Sequence, residues 1–384
     1  MKKLFLFSAL LLSLALTASA QETKKTVSLE LPAWVRNVKF SGYGMVQYQA
    51  DDKYGNGTNL IGNPIAVKNH ENSFTLRLVR LSLEGRIAND FYWKAQMQIN
   101  GNTSTLGSSP RIVDLFAEWQ KYKFLMVKAG QFKRPFTFEN PMHPITQGFM
   151  SYSQNVSKLA GFSDRTGEQA SNGRDIGVQL QGDLVKTSAG RPLLHYQAGV
   201  FNGEGINKKD ADNRKDLIGG FWVMPVEGLR IGAFGWTGSR VITYTETLIG
   251  GSTPITITEQ VSVPKNRYAI SAEYAKDDWT FRTEYIHSQG FGSSLAAGDK
   301  ADGYYALCIA PVIKNKMHVK ARYDLYRDRK EWETSKTFYE VGADYLLHKN
   351  LQLNIEYARV NDRTIVQSSH HDYNLVDVEL DFRF

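Results

Sequence analysis

The chain has 384 residues, a formal charge of +7 at pH 7, and 22% charged residues spread without any Lys/Arg run. That small, scattered excess excludes the basic footprint of a nucleic-acid binder, so no nucleic-acid partner is expected. A single cysteine, Cys308, excludes an intrachain disulfide, and beyond residue 20 no stretch approaches the roughly 18 apolar residues of a membrane helix.

Residues 1–20, MKKLFLFSALLLSLALTASA, begin with Lys2 and Lys3, run apolar from Leu4 to Leu16, and end in Ala18-Ser19-Ala20. This is the pattern of a cleaved secretory signal peptide, with Gln21 expected to start the mature chain. Residues 21–37 are expected to be an N-terminal segment preceding the first strand. From there on the period is two. Phe91, Trp93, Ala95, Met97 and Ile99 alternate with Tyr92, Lys94, Gln96, Gln98 and Asn100. Met317, Val319, Ala321, Tyr323 and Leu325 alternate with His318, Lys320, Arg322, Asp324 and Tyr326. The chain finishes in the same way, with Val376, Val378, Leu380, Phe382 and Phe384 opposite Asp377, Glu379, Asp381 and Arg383. Strict alternation marks a strand between two unlike surroundings.

Sixteen strands are expected, near 38–50, 73–88, 91–101, 111–121, 124–132, 173–185, 192–203, 216–224, 229–245, 263–276, 279–291, 302–313, 316–328, 335–347, 350–362 and 372–384. Their connections alternate between tight turns, as at Asp277-Asp278 and Lys314-Asn315, and long loops, of which 133–172 is the longest. Short turns on one rim and long loops on the other describe an all-β transmembrane antiparallel barrel over residues 38–384. Closure follows from physics, because hydrocarbon offers no partner to an unpaired strand edge. The apolar parity then faces outer-membrane lipid and the polar parity faces the lumen. Phe91, Trp93, Trp119, Trp279 and Phe384 fall where an interfacial aromatic belt is needed on the short-turn, periplasmic rim. One strand is irregular: in FTLRLVRLSLEGR, Arg77 and Arg80 have opposite parities, which points to a bulge or to one misplaced side chain.

The most specific stretch is AGQFKRPFTFEN, Ala129–Asn140, which opens the long third outer loop. Gly130, Phe132, Lys133, Pro135 and Phe136 resemble the Gly-x-Phe-Lys-x-Pro-Phe element of the phosphate-selective porin O and P family. EGRIANDFYWKAQMQ (84–98) and RDIGVQLQGDL with YQAGVFNGEG (174–205) resemble the same family. The resemblance implies a homotrimeric, sixteen-stranded porin of the Gram-negative outer membrane, whose third outer loop enters the lumen and whose basic side chains line a path for small anions such as phosphate.

Candidates for that path on the lumen parity are Lys94, Arg282, Lys320 and Arg322, joined by Lys133 and Arg134 at the loop. Arg suits an oxyanion because its planar fork donates to two oxygens at once. The same parity also carries Asp114, Glu118, Glu273, Glu284, Glu340, Asp344, Glu356, Asp377, Glu379 and Asp381. A second reading of FKRPF is a turn that seats two Phe rings against the wall, and both readings are compatible. No catalytic motif, metal site or cofactor signature is found: His370-His371 lies in an outer loop, and Cys308 sits in an apolar strand. The expected function is passive diffusion of small hydrophilic solutes. The alternatives are a plugged barrel acting through its outer loops and a soluble exported glycan binder.

Overall fold

The computed structural model describes residues 38–100, 110–165, 172–248, 255–290 and 299–384. The expected signal peptide and the segment 21–37 lie outside the described residues. β1 (Lys39–Asp51) leads into a small outer hairpin, β2 (Tyr54–Thr58) and β3 (Pro64–Lys68). The wall continues through β4 (Asn72–Ile87), β5 (Phe91–Gln98), β6 (Arg111–Tyr122) and β7 (Leu125–Lys133). After the long loop come β8 (Arg174–Lys186), β9 (Pro192–Phe201), β10 (Asp216–Val223) and β11 (Leu229–Leu248). β12 (Ile255–Lys276), β13 (Trp279–Gly290), β14 (Asp299–Ile313), β15 (Met317–Arg327), β16 (Ser335–His348), β17 (Leu351–Asp362) and β18 (Asp372–Arg383) complete the chain.

All of these except β2 and β3 form one closed antiparallel barrel, in which β1 pairs with both β4 and β18. Two outer connections differ from expectation. The hairpin β2–β3 occupies what reads as loop, and β11 and β12 stay paired as far as Leu248 and Ile255. The backbone ladder there continues from Thr243 opposite Gln260 to Leu248 opposite Ile255.

The two parities sort as a membrane barrel requires. Asp377, Glu379 and Asp381 are buried inside, while Val376, Phe382 and Phe384 are exposed outside. This inverts the arrangement of a soluble core. Of the two readings of the irregular strand, the bulge is the one present: Met45 pairs with Leu78 and Val46 with Leu76, leaving Arg77 as the extra residue. Both arginines therefore reach the lumen, Arg77 to Glu379 at 3.0 Å and Arg80 to the Tyr43 hydroxyl at 3.0 Å. At the closing seam Gly42 and Phe384 exchange backbone hydrogen bonds of 3.0 Å. Beside it Gly44 makes room for the Phe382 ring, which a Cβ there would approach to 2.2 Å.

The outer aromatic belt consists of Tyr268, Tyr285, Tyr304, Tyr323, Tyr339 and Tyr357, one on each strand from β12 to β17. Their rings form a partly continuous chain, with Tyr304–Tyr323 and Tyr323–Tyr339 centroids each 5.4 Å apart. Tyr48 on β1 and Phe74 on β4 extend it past the seam, 4.9 Å from each other.

Candidate lumen site

Three residues before the end of β7 stands Gly130, whose φ of +129° and close approach to the Leu115 carbonyl admit no side chain. Arg134 and Gly173 close the neck of the loop with a backbone hydrogen bond of 2.8 Å. The Asn140 side-chain amide donates to both the Arg134 and Gly173 carbonyls. Beyond this neck the loop turns inward. Phe136 and Phe138 are buried inside the barrel, edge-on to Trp236 at 5.5 Å and Phe234 at 5.4 Å. A short helix, α1 (Gln154–Leu159), adds Val156 and Leu159 to the same apolar cluster.

An irregular backbone in a closed interior needs partners for its N–H and C=O groups. The wall supplies them as charges. Glu284 accepts from the N–H of Phe138 at 3.1 Å and of Glu139 at 2.7 Å. Glu356 accepts from Met150 N–H at 2.9 Å, and Asp324 from Gln154 N–H at 2.8 Å. Cations take the carbonyls. Arg282 donates to Gln147, Lys320 to Gly148 at 2.8 Å, and Arg322 to Ser151 at 2.9 Å. On the far side of the lumen, Ile145 packs against Tyr43, Met45 and Leu78 of β1 and β4.

The six sequence-predicted residues thus fall into two groups. Arg282, Lys320 and Arg322 are brought together as loop anchors, each also ion-paired: with Glu273 at 3.2 Å, Glu356 at 2.5 Å and Glu340 at 2.9 Å. Arg134 is fully buried and bound to the equally buried Asp175 at 2.8 Å. Lys133 and Lys94 instead line a cavity of about 300 Å³ between Pro141–Pro144 of the loop and the wall of β1 and β4–β8. Lys133 donates to the Asn140 and Met142 carbonyls and to the Tyr152 hydroxyl, each at 2.7 Å.

Three further cations line that cavity: Arg80, Lys128 and Arg174. Against these five stands one lining carboxylate, Asp114, which binds Arg174 at 2.5 Å. Glu118 lies 3.8 Å from Lys128. Arg80 is wholly buried; its Nε donates to Gln98 and its Nη1 to Tyr43, while its Nη2 has no hydrogen-bond partner among the described residues. His143 also lines the cavity and accepts the Ile145 N–H on Nδ1 at 3.2 Å. His143 keeps an exposed side chain, and the protein around it, then the charges of Lys133, Arg80 and Lys94, hold its pKa below the ordinary imidazole range. His143 is neutral at pH 7.

The sequence reading missed Arg80, Lys128 and Arg174. Arg80 is obscured by the bulge, which breaks the parity count across β4. Lys128 shares the lumen parity of Phe132, so counting back from the loop motif finds it. Arg174 begins the RDIG stretch but has no local sign that it meets Asp114, 60 residues earlier.

Comparison with known proteins agrees with this geometry. Residues 40–216 match the family described as phosphate-selective porin O and P, and residues 241–364 match Gram-negative porin. No curated protein matches by sequence. Among solved structures, the anion-selective porin from Comamonas acidovorans is similar with a TM-score of 0.61 at 14% identity, covering 90% of this chain and 99% of that one. OprB of Pseudomonas putida gives 0.61 at 8% identity, covering 91% and 94%. A loop-deletion form of OmpT, an outer membrane protein of Vibrio cholerae, gives 0.59 at 11% identity, covering 90% and 99%. At these identities the likeness shows the fold alone; the two family matches carry the rest.

Proposed function

Taking the chain as an outer-membrane porin of a Gram-negative cell, we propose that it passes small hydrophilic solutes with a preference for anions such as phosphate, without catalysis. The observation that carries this reading is the charge around the cavity: five cationic side chains, one lining carboxylate, and an unpartnered arginine nitrogen. A narrow passage lined by cations lowers the cost of an anion shedding water. In this reading Lys94, Lys128 and Arg80 meet the anion. Lys133 shapes the loop beside them, and Arg134, Arg282, Lys320 and Arg322 hold the loop in place. Export by the residue 1–20 signal and assembly as a homotrimer belong to the same proposal.

Current through the purified protein in a planar bilayer tests it. Under a chloride gradient the reversal potential should lie on the anion side, and added phosphate should reduce the chloride current. A cation-side potential that phosphate leaves unchanged overturns the anion preference. One observation favours a second reading, a plugged barrel working through its outer loops: the loop touches β1 and β4 as well as β13–β15 and β17. Absence of conductance from folded protein would select that reading.

A further inference from the structure

The outward face of β10–β13 carries a step in polarity. The strand register sets Phe221, Ala233, Ile270 and Tyr285 in one row and Gly219, Gly235, Tyr268 and His287 in the next. Leu217, Thr237, Asn266 and Gln289 form the row above that. The lowest row is apolar, and the uppermost is amide and hydroxyl except for Leu217. Such a step, at the level of the tyrosine belt, marks the headgroup layer of the outer leaflet.

A cavity of about 330 Å³ lies in this step, beside Gly235, where an added Cβ would meet nothing. The His287 ring stacks on Tyr268 at 4.8 Å. The neighbour of Tyr268 on its other side is Gly235, so no side chain covers the ring from that strand. His287 lines the cavity and is only 7% exposed, and its Nδ1 has no hydrogen-bond partner among the described residues. A buried ring nitrogen in that state is an opening for a ligand. Thr237 donates to the Asn266 side-chain oxygen at 2.7 Å, which leaves the Asn266 amide nitrogen to donate, and Gln289 adds a second amide. The one charged residue at the border, Arg267, has the opposite parity and binds Asp164 inside the barrel at 2.7 Å.

These groups select a class of ligand. A ring open on one side takes the C–H face of a sugar, while amides, a hydroxyl and an imidazole take its hydroxyl groups. A phosphodiester headgroup would need a cation in the cavity, and the border offers none that faces it. The apolar row beneath suits an acyl chain. We infer that the notch at Gly235 binds the sugar headgroup of an outer-leaflet glycolipid, whose chains lie over Ala233 and Ile270. The inference rests on the outer-membrane location and not on the ion preference of the lumen.

The test uses the purified protein and three variants. Gly235→Leu fills the notch, His287→Phe keeps the stacked ring but removes its nitrogens, and Ala321→Leu alters an exposed position on β15. Each is reconstituted in phosphatidylethanolamine vesicles holding a small share of purified lipopolysaccharide, released in mild detergent and weighed by native mass spectrometry. Circular dichroism confirms the barrel. Wild type and Ala321→Leu should retain lipopolysaccharide over the excess phospholipid. Gly235→Leu should lower that retention roughly tenfold, and His287→Phe several-fold. Should Gly235→Leu not fold, Thr237→Leu, which replaces the hydroxyl at the border with a larger apolar group, takes its place. Equal retention in wild type and the notch variants overturns the site. So does a wild type that retains no lipid, and one that retains phosphatidylethanolamine instead overturns the glycolipid.

Discussion

Two walls of the same lumen use the same residue types for different ends. On β13–β17, Arg282, Lys320 and Arg322 each meet a carboxylate and a loop carbonyl, and the loop backbone is satisfied group by group. On β4–β8, Arg80, Lys94, Lys128 and Arg174 outnumber the carboxylates beside them and surround open space. The difference lies in the partners. A buried cation with a matched acid and a backbone acceptor becomes a structural clamp. A cation facing a cavity with surplus positive charge leaves its field for a solute. Identity and parity of a lumen residue therefore do not fix its role.

The comparison breaks most visibly where a clamp is cut. Arg134→Ala strands the fully buried Asp175 carboxylate and should cost about 3–5 kcal/mol. Urea unfolding in detergent reads this, and the double variant Arg134→Met with Asp175→Leu should recover most of the loss. No recovery would mean that Arg134 acts through its stacking on Trp236, 4.8 Å away, rather than through its charge. Phe138→Ala removes a ring from the apolar cluster inside the barrel and should cost about 3 kcal/mol. It should also raise single-channel conductance by loosening the loop; unchanged conductance would separate the loop from the passage.

Neutralising the other wall should do the reverse. Lys94→Gln with Lys128→Gln should lower the anion-to-cation permeability ratio roughly tenfold, about 1.4 kcal/mol, while folding stability moves by about 0.5 kcal/mol or less. Lys320→Met is the sharpening control, because it unpairs Glu356 and should weaken folding with little effect on that ratio. An equal selectivity loss in both would erase the distinction between the walls.

The smallest effect is a pH dependence of loop docking. In the docked loop the pKa of His143 lies below the ordinary 6.5 that release of the loop restores. The released loop therefore takes up the proton first. Docking is complete above about pH 6.5 and weakens as the pH falls below it. Protonation also removes the Nδ1 acceptor of the Ile145 N–H. Hydrogen exchange at residues 143–150 should quicken at pH 5 relative to pH 7.5, and His143→Asn should flatten that profile. A profile identical in wild type and variant would assign the dependence elsewhere.

Much of the fold was legible because the bilayer imposes a simple code. Each strand must show apolar groups to lipid at every second position, and turns must alternate short and long. The final strand, with Val376 to Phe384 on one side and Asp377 to Arg383 on the other, is explicit enough to state its own orientation. The irregularity between Arg77 and Arg80 was legible for the same reason, since it interrupts a strict period, and the strand register resolved it as a bulge. The ribbon of β11 and β12 was not, because outside the membrane nothing demands the alternation that marks a strand.

By itself, then, the sequence determined the barrel, the sidedness of its faces, its strand count and the inward-leading motif at Ala129–Asn140, because these depend on local period and on a solvent common to every strand. Tertiary structure alone decided which cations are clamps and which line the cavity. That depends on pairs such as Arg174–Asp114 and Arg134–Asp175, brought within 3 Å across 60 and 41 residues of chain. Long-range pairing in a closed barrel is fixed by register and loop docking, and a one-dimensional period carries no record of either.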